Sequence, residues 1–421
     1  MTAAVMKTGD LRAPDDRRVG VLDGVRTILI FLVGSFHIWQ QSWLTPSAVL
    51  FGKYYWSMDP LLRSGYIWVD GMILLSGFLL FLTYVERPMD GKGVLRFYKK
   101  RFARIYPSYA LNVLVFFFLN LSKYSSSDMA LWDLAAHLTF SHTFWHFTYY
   151  GSPINGALWT VGVEVQFYLL FPLILYLFRK KPGWTFAVLC AAAWAFRHWA
   201  STLRDCGMAF NQLPAFLDVY ALGMAGAEGY RVLRGKLLRR GGYEKAFFLV
   251  CAVLSLMLLY RLVRDQASRG TQEMIRLGQM TNRLPLAVAL TVLMVSLAFT
   301  YEGIRWLMSN RVMAFLSSVT FQFYMYHQVL AVLMKQWRWV PSVNENPNMA
   351  GEWPWQPIYT AVCFLVPLLL SVILTYGFEK PMARLILGRG KKNAGTAGKA
   401  MGDEEESPAE KADENKGVDA T

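Results

Sequence analysis

The chain has 421 residues, of which 54% are hydrophobic and 15% aromatic, with only 17% charged and a formal net charge of +14. Soluble domains carry roughly a quarter charged residues, so this composition excludes an ordinary soluble domain. The apolar runs have the length of about 20 residues that a helix needs to cross a bilayer, and they are too long and too evenly apolar for the strands of a membrane barrel.

These runs predict an all-α polytopic membrane protein with about ten transmembrane helices. In chain order the predicted spans begin at about Val25, Tyr66, Ile105, Ala157, Gly183, Gln212, Ala246, Leu284, Val312 and Ile358. Residues 1–24 form an N-terminal tail and 25–387 the transmembrane domain. Residues 388–421 contain no aromatic side chain and are rich in Gly, Lys, Glu and Ala, which predicts a disordered tail because too little apolar surface is available for folding.

The distribution of Lys and Arg predicts the orientation. An even number of spans places both termini on one side, and the loops on that side carry 30 Lys and Arg against 12 in the opposite loops, with Arg26 inside the first span. The positive-inside rule makes the richer side, and both termini, cytoplasmic. The five arginines of 261–283 are the exception. The positive charge then reflects topology beside a lipid bilayer, and we expect no nucleic-acid partner.

The first span, LDGVRTILIFLVGSFH, contains Arg26 and His37 eleven residues apart. That spacing is three helical turns plus about 20°, which places both on one face, roughly 16 Å apart. Ionisable groups inside a membrane are costly and usually functional, and a buried His is a natural general base. The alternative is an Arg that snorkels to the interface and a His that hydrogen-bonds a neighbouring helix.

Residue counting places further polar side chains near the level of His37. Glu164 lies seven residues from the outer start of the fourth span, and His327 about eight from the outer end of the ninth. Asp218 and Asp70 lie about six and four residues into their spans. Several acids and two His at one depth indicate a site. A structural hydrogen-bonded network is the alternative.

A basic cluster precedes the third span on the predicted cytoplasmic side. It consists of Arg96, Lys99, Lys100, Arg101 and Arg104. Arg101 and Arg104 are three residues apart on one helical face, and with Arg26 they predict a pocket that holds phosphates through bidentate contacts. For Arg96 and Lys99 we expect simple topological anchoring. A phosphate-rich ligand on the predicted cytoplasmic side and a proton acceptor nearer the outer side indicate that a group is passed across the membrane.

The outer stretch 129–150 is rich in aromatic residues and includes His142 and His146. Their i, i+4 spacing permits a metal pair, but no acid or Cys is near in sequence, so we expect no metal. An interfacial aromatic belt or a sugar-stacking rim over the site are the other interpretations.

Five motifs occur together in one order along the chain. They are Arg26 followed by His37 in LDGVRTILIFLVGSFH, then VDGMILLSGF (69–78), KKRFARIYPSY (99–109), ALWTVGVEVQFYLLFP (157–172) and FYMYHQ (323–328). With these motifs the chain resembles the integral-membrane acyltransferases called acyltransferase family 3, over about residues 20 to 385.

The resemblance implies ten core helices, an acyl-CoA donor on the cytoplasmic side and a hydroxyl acceptor on a glycan or small molecule. It implies His37 as the essential catalytic residue, with Arg26, Arg101 and Arg104 serving the donor. Glu164 takes the place of the first acid in the family pattern W-S-L-x-V-E-E-Q-F-Y. Further candidates for acceptor binding or for supporting roles are Asp70, Ser76, Trp159, Tyr168, Asp218, Tyr324 and His327.

Four positions depart from the family pattern. Val165 replaces the second acid, so an acid pair is excluded there. Met72 and Ile73 stand where two Phe are usual, which leaves the size of the acyl pocket open, and Thr27 stands where Gly is usual.

The sequence therefore predicts a membrane O-acyltransferase of the bacterial inner membrane. It would move an acyl group, with acetyl as the first candidate, from cytoplasmic acyl-CoA to a hydroxyl of an extracytoplasmic acceptor such as a polysaccharide. His37 would deprotonate the acceptor and Glu164 would orient the imidazole, with a transient acyl-His as a variant. The alternative is a proton-coupled transporter or flippase, for which we expect broken helices in paired halves and see none. A membrane sensor would need a signalling domain.

Overall fold

The computed structural model describes residues 19–237 and 242–388, so most of both predicted tails lies outside the described residues. Helices make up most of the described chain. They are α1 (Val21–Ser42), α2 (Asp59–Arg63), α3 (Trp68–Tyr84), α4 (Gly91–Leu119), α5 (Ser127–Leu138), α6 (Trp159–Lys180), α7 (Pro182–Ser201), α8 (Gly207–Phe210), α9 (Leu217–Leu237), α10 (Gly242–Ala267), α11 (Gln272–Phe299), α12 (Glu302–Ser309), α13 (Arg311–Gln336), α14 (Trp355–Leu374) and α15 (Lys380–Leu387).

Seven segments of the described chain are long and apolar enough to cross a membrane. They are Val21–Ser42, Gly65–Tyr84, Gly91–Leu119, Gly156–Lys180, Gly242–Ala267, Gln272–Phe299 and Trp355–Leu387. Three more long helices, α7, α9 and α13, begin near predicted spans but fall below that apolarity. The protein is thus a helical multi-pass membrane protein. The number of ten spans and the cytoplasmic location of the termini stay predictions.

Two helices begin well before the predicted starts of their spans. The third span was expected from Ile105, yet α4 begins at Gly91, where the side chain of Asp90 accepts a hydrogen bond from the backbone N–H of Gly93. The eighth was expected from Leu284, yet α11 begins at Gln272, capped in the same way by Thr271. Hydropathy reports contact with lipid, whereas capping fixes where a helix begins. The basic residues before both apolar runs are therefore helical.

A two-stranded hairpin interrupts the segment between α1 and α3, where the sequence predicted a loop. Strands β1 (Ser47–Leu50) and β2 (Tyr54–Ser57) pair antiparallel, with Val49 opposite Tyr55. Phe51 at the turn is 96% exposed and Tyr55 is 74% exposed. The hairpin contributes no wall to either cavity described below.

Glycines bring α3 and α9 into backbone contact at the centre of the molecule. A Cβ atom added to Gly223 would lie 2.2 Å from the carbonyl oxygen of Leu74, and one added to Gly77 would lie 2.7 Å from that of Tyr220. Small residues at such positions allow helices in membranes to pack closely. This close pair forms one wall of the core that surrounds the candidate site.

Helix α1 lies along α13 and is held at both ends. Near its start, Ser317 donates to the Asp23 carboxylate at 3.0 Å, and near its end Lys335 donates to the carbonyl of Gln41 at 3.1 Å. Midway, Gly34 faces the ring of Phe323 so closely that an added Cβ would lie 2.9 Å from it. These contacts fix the face of α1 that carries Arg26 and His37.

Candidate active site

Arg26, Arg101 and Arg104, the three arginines expected to bind phosphate, line one cavity of about 300 Å³, here called the inner cavity. Its remaining wall is mostly apolar, with Ile30, Val69, Met72, Ile73, Leu79, Ile105 and Val161 among its residues. Helix α4 supplies two arginines because it continues through the basic stretch, and α1 supplies the third. The predicted convergence of these side chains is therefore present in the structure.

The three guanidinium groups differ in how they are held. Arg101 is packed among aromatic rings, with its Cζ atom 5.4 Å from the ring centre of Tyr168 and 5.9 Å from that of Tyr84. Arg26 and Arg104 make no hydrogen bond to another residue that the structure describes, and they repel each other. Arginine is the side chain best suited to bidentate contact with phosphate. Asp23 and Glu164 attract Arg26 as well, but three guanidinium groups face one carboxylate among the described residues of the cavity lining, so the cavity offers a site for an anionic ligand.

Glu164 lines the inner cavity as well, beside these arginines. Its carboxylate accepts hydrogen bonds from the Ser76 hydroxyl at 3.2 Å and from the Tyr168 hydroxyl. Within residues 19–237 and 242–388 it makes no hydrogen bond to His37. The expected pairing of Glu164 with His37 is therefore not formed. The two residues have a similar predicted depth, but their side chains line different cavities.

His37 lines a second cavity of about 490 Å³, here called the outer cavity. Its wall combines aromatic rings, amides and a few charged groups. The rings and amides come from Phe36, Trp39, Gln40, Tyr66, Trp159, Asn211, Gln266, Gln272, Gln279 and Asn282, and the charged groups from Arg63, Asp70, Arg276 and Arg283. Ring faces and neutral amides suit an acceptor with hydroxyl groups and an apolar face. Trp159 thus lies where the sequence expected an acceptor-side residue.

Gln40, on the next turn of α1, holds the ring of His37. The Nδ1 atom of His37 lies 3.1 Å from Oε1 of Gln40. With the amide oxygen facing the ring, Nδ1 carries the proton and donates it, so Nε2 keeps a lone pair. An imidazole with a fixed tautomer and a free Nε2 is arranged as a general base.

His327 packs against the other side of this imidazole. The ring centres of His37 and His327 are 5.2 Å apart, and His327 is fully buried outside both cavities. Its Nδ1 atom lies 2.7 Å from the carbonyl oxygen of Tyr324 and 3.1 Å from that of Phe323. The sequence expected His327 near the level of His37, and the structure places the two in contact.

The buried aspartates are each paired with an arginine. Arg283 donates through Nε to Asp70 at 3.2 Å, and Arg197 makes a two-point contact with Asp218 at 2.7 and 2.8 Å. Both arginines also donate to the carbonyl of Ala215. Asp70 and Arg283 line the outer cavity, whereas Asp218 lies behind it. Among the described residues neither acid bonds to His37.

Tyr324 and Val69 are the two residues that line both cavities. The Tyr324 hydroxyl donates to the carbonyl of Ala157 at 3.1 Å and accepts from Thr160 at 2.7 Å. Its hydrogen-bonding capacity is thus largely used within the protein. Tyr324 is better placed as a partition between the cavities than as a ligand of the acceptor.

The aromatic outer stretch closes part of the outer cavity. Tyr149 and Tyr150 line it, and burial raises the pKa of Tyr149 to about 12, so that its phenol stays neutral. The position of these two tyrosines in the cavity wall favours a sugar-stacking rim over a simple interfacial aromatic belt. His142 is buried and stacked on His137 with ring centres 4.3 Å apart, while His146 is exposed near Asp205. The suggested metal pair therefore does not converge.

Three residues of the site were missed by sequence reasoning. Gln40 follows His37 by three residues, a spacing that places them on one helical face, so its contact was predictable. Arg283 was assigned to a loop because it precedes the apolar run of α11, and Arg197 was counted with an outer loop. Only the paired acids Asp70 and Asp218, which required a counter-charge inside the membrane, gave a signal for them.

Comparison with known proteins identifies the family of the chain. A family model described as an acyltransferase domain matches residues 19–372. The acyltransferase MdmB of Streptomyces mycarofaciens is 27% identical over 254 residues, which cover 56% of this chain and 62% of that protein. The chain thus spans about three-fifths of the length of that relative. No solved structure matches the chain. Because the family match extends over most of the sequence and includes both cavities, the chain belongs to acyltransferase family 3.

Proposed function

We propose that the protein transfers an acyl group, acetyl in the first instance, from cytoplasmic acyl-CoA to a hydroxyl of an extracytoplasmic glycan or other acceptor, in a bacterial inner membrane. The observation that carries the proposal is the juxtaposition of two cavities. One is lined by Arg26, Arg101 and Arg104, the other by His37, and they share a wall at Tyr324 and Val69.

The inner cavity accounts for the donor. CoA carries several phosphate charges, and Arg26 and Arg104 hold no hydrogen bond to another described residue that would have to be broken. Charge-assisted contacts to phosphate contribute about 1.5–3 kcal/mol each. The pantetheine arm of CoA would then pack along the apolar wall of the inner cavity and extend toward the outer cavity.

The outer cavity accounts for the chemistry. Nε2 of His37 takes the proton of the acceptor hydroxyl while the oxygen attacks the thioester carbonyl. The carbon–sulfur bond breaks, the CoA thiolate leaves, and it recovers the proton from the imidazolium. Gln40 keeps the ring oriented throughout by accepting the hydrogen bond from Nδ1. Donor, acceptor and product charges balance without a metal or redox partner.

Glu164 acts on the donor side in this scheme. Its carboxylate lies among the arginines and is fixed by Ser76 and Tyr168. We assign it the role of a positioning residue, which holds Arg26 and Arg101 in place when no donor is bound. No specific observation favours the competing function, a proton-coupled transporter. Membership of an acyltransferase family supports transfer of an acyl group instead.

Substitution of the proposed base tests the function. His37→Ala should reduce CoA release from acetyl-CoA, in the presence of a panel of methyl glycosides, by at least about a hundredfold, because general-base catalysis typically contributes 10²–10⁴-fold. The assay measures free thiol released by purified protein in nanodiscs. His198→Ala is the matched control, since His198 is exposed and lies outside both cavities. Near wild-type release by a folded His37→Ala protein would refute the proposed role.

A further inference from the structure

His327 carries a buried nitrogen atom with no hydrogen-bond partner. Its Nδ1 faces two backbone carbonyl oxygens, and because these only accept, Nδ1 must carry the proton. Nε2 of the neutral ring therefore holds a lone pair, and it has no partner among the described residues. An unsatisfied buried polar atom costs about 1–3 kcal/mol and calls for an explanation.

The neighbour of His327 supplies that explanation. Its ring lies against His37, at 5.2 Å between ring centres, and it does not line the outer cavity. His37 in the proposed function becomes an imidazolium in each catalytic cycle, and a charge inside a membrane is costly unless groups of opposite polarity lie nearby. The acids Asp70, Asp218 and Glu164 are each hydrogen-bonded elsewhere.

We propose that His327 is a positioning residue whose Nε2 lone pair stabilises the protonated form of His37 by charge–dipole attraction, while the two N–H groups of His37 serve Gln40 and the reacting hydroxyl. The inference rests on the proposed function and deepens it. The two backbone carbonyls hold His327 in the one neutral tautomer that leaves a lone pair on Nε2. A neutral ring stabilises the imidazolium of His37 only weakly, so the proton can still return to the leaving thiolate.

Close packing maintains this arrangement. His327 stacks on Phe323 with ring centres 5.6 Å apart and planes 12° apart. Gly34 of α1 lies next to both rings, since an added Cβ would meet Phe323 at 2.9 Å and Cδ2 of His327 at 3.8 Å. The glycine thus lets α13 approach α1 closely enough for the two imidazoles to touch.

Two substitutions at position 327 separate this role from simple packing. An Asn side chain has a donor near the position of Nδ1 but no atom near Nε2, whereas Gln reaches the position of Nε2. We expect His327→Asn to lower kcat for CoA release from acetyl-CoA at least tenfold with little change in KM. His327→Gln should recover most of that loss. A purely structural role predicts the reverse order, because Asn would preserve the bonds to the carbonyls of Phe323 and Tyr324.

The failure modes are distinguishable. If wild-type protein releases no CoA, or if His37→Ala releases it normally, the proposed function fails. If His37→Ala is inactive while both position-327 variants match wild type, only the role of His327 is refuted. Should His327→Asn not fold, His327→Ala with added imidazole replaces it: recovery of kcat with imidazole supports the proposal, and kcat unchanged from wild type without imidazole overturns it.

Discussion

At the scale of single residues, the clearest consequence concerns Arg26 and Arg104, which line the inner cavity and make no hydrogen bond to another described residue. Arg104→Ala should weaken binding of acetyl-CoA about tenfold or more, since a charge-assisted contact of about 1.5 kcal/mol or more is lost. Calorimetry on the purified protein measures the affinity. Arg96→Ala is the control, because Arg96 is exposed on the same helix and lines neither cavity. Equal affinity in both variants would leave Arg104 as a topological anchor.

Glu164 offers a second test at this scale. Glu164→Gln keeps an acceptor oxygen for Ser76 and Tyr168 but removes the negative charge beside the donor phosphates. Binding of acetyl-CoA should become severalfold tighter at low salt, since removing a negative charge from the cavity that holds the phosphates contributes about 1 kcal/mol when solvent and protein screen the interaction. Glu228→Gln, outside both cavities, should leave the affinity unchanged. A fall in turnover with constant affinity would instead return Glu164 to the chemistry of His37.

At the scale of helices, contact between α3 and α9 depends on glycine. Gly223→Ala would force a methyl group to within 2.2 Å of the Leu74 carbonyl, and neither backbone can yield without separating the helices. We expect a loss of folded protein, measured by thermal unfolding in detergent, with a cost of a few kcal/mol as for other overpacked cores. Gly229→Ala in the same helix has open space around it. It should be neutral or up to about 1 kcal/mol stabilising.

The helices also show how far the sequence could predict this structure. Apolar runs located seven segments of the described chain that are long and apolar enough to cross a membrane, because lipid contact imposes both length and composition. They placed the starts of α4 and α11 too late in the chain, since a hydropathy profile does not distinguish an arginine-rich helix end from a loop. Counting residues predicted a similar depth for His37, Glu164 and His327, and the structure brings His37 and His327 into contact. Depth does not specify the face of a helix, so it could not show that Glu164 belongs to the inner cavity.

At the scale of the whole molecule, the inner cavity includes Arg26 near the start of α1 and the outer cavity includes His37 near its end. Charge counting predicts that the arginine-lined cavity faces the cytoplasm, where CoA is found, and this orientation stays a prediction. Residues 389–421 lie outside the described part of the chain. Their dispensability for activity is a prediction from composition alone.

The partition at Tyr324 has a consequence for the energy supply of the cell. An enzyme that joins two aqueous compartments risks short-circuiting the ion gradients across its membrane, and here a phenol ring and Val69 stand between the cavities. Tyr324→Ala should therefore make proteoliposomes leaky to protons, seen as faster collapse of an imposed pH gradient with a trapped dye. Tyr326→Ala, in neither cavity wall, should not. Equal leak rates in the two variants would mean that other residues form the barrier to protons. If Tyr324→Ala leaks and Tyr326→Ala does not, the phenol of Tyr324 forms part of the barrier that keeps protons from passing between the two cavities.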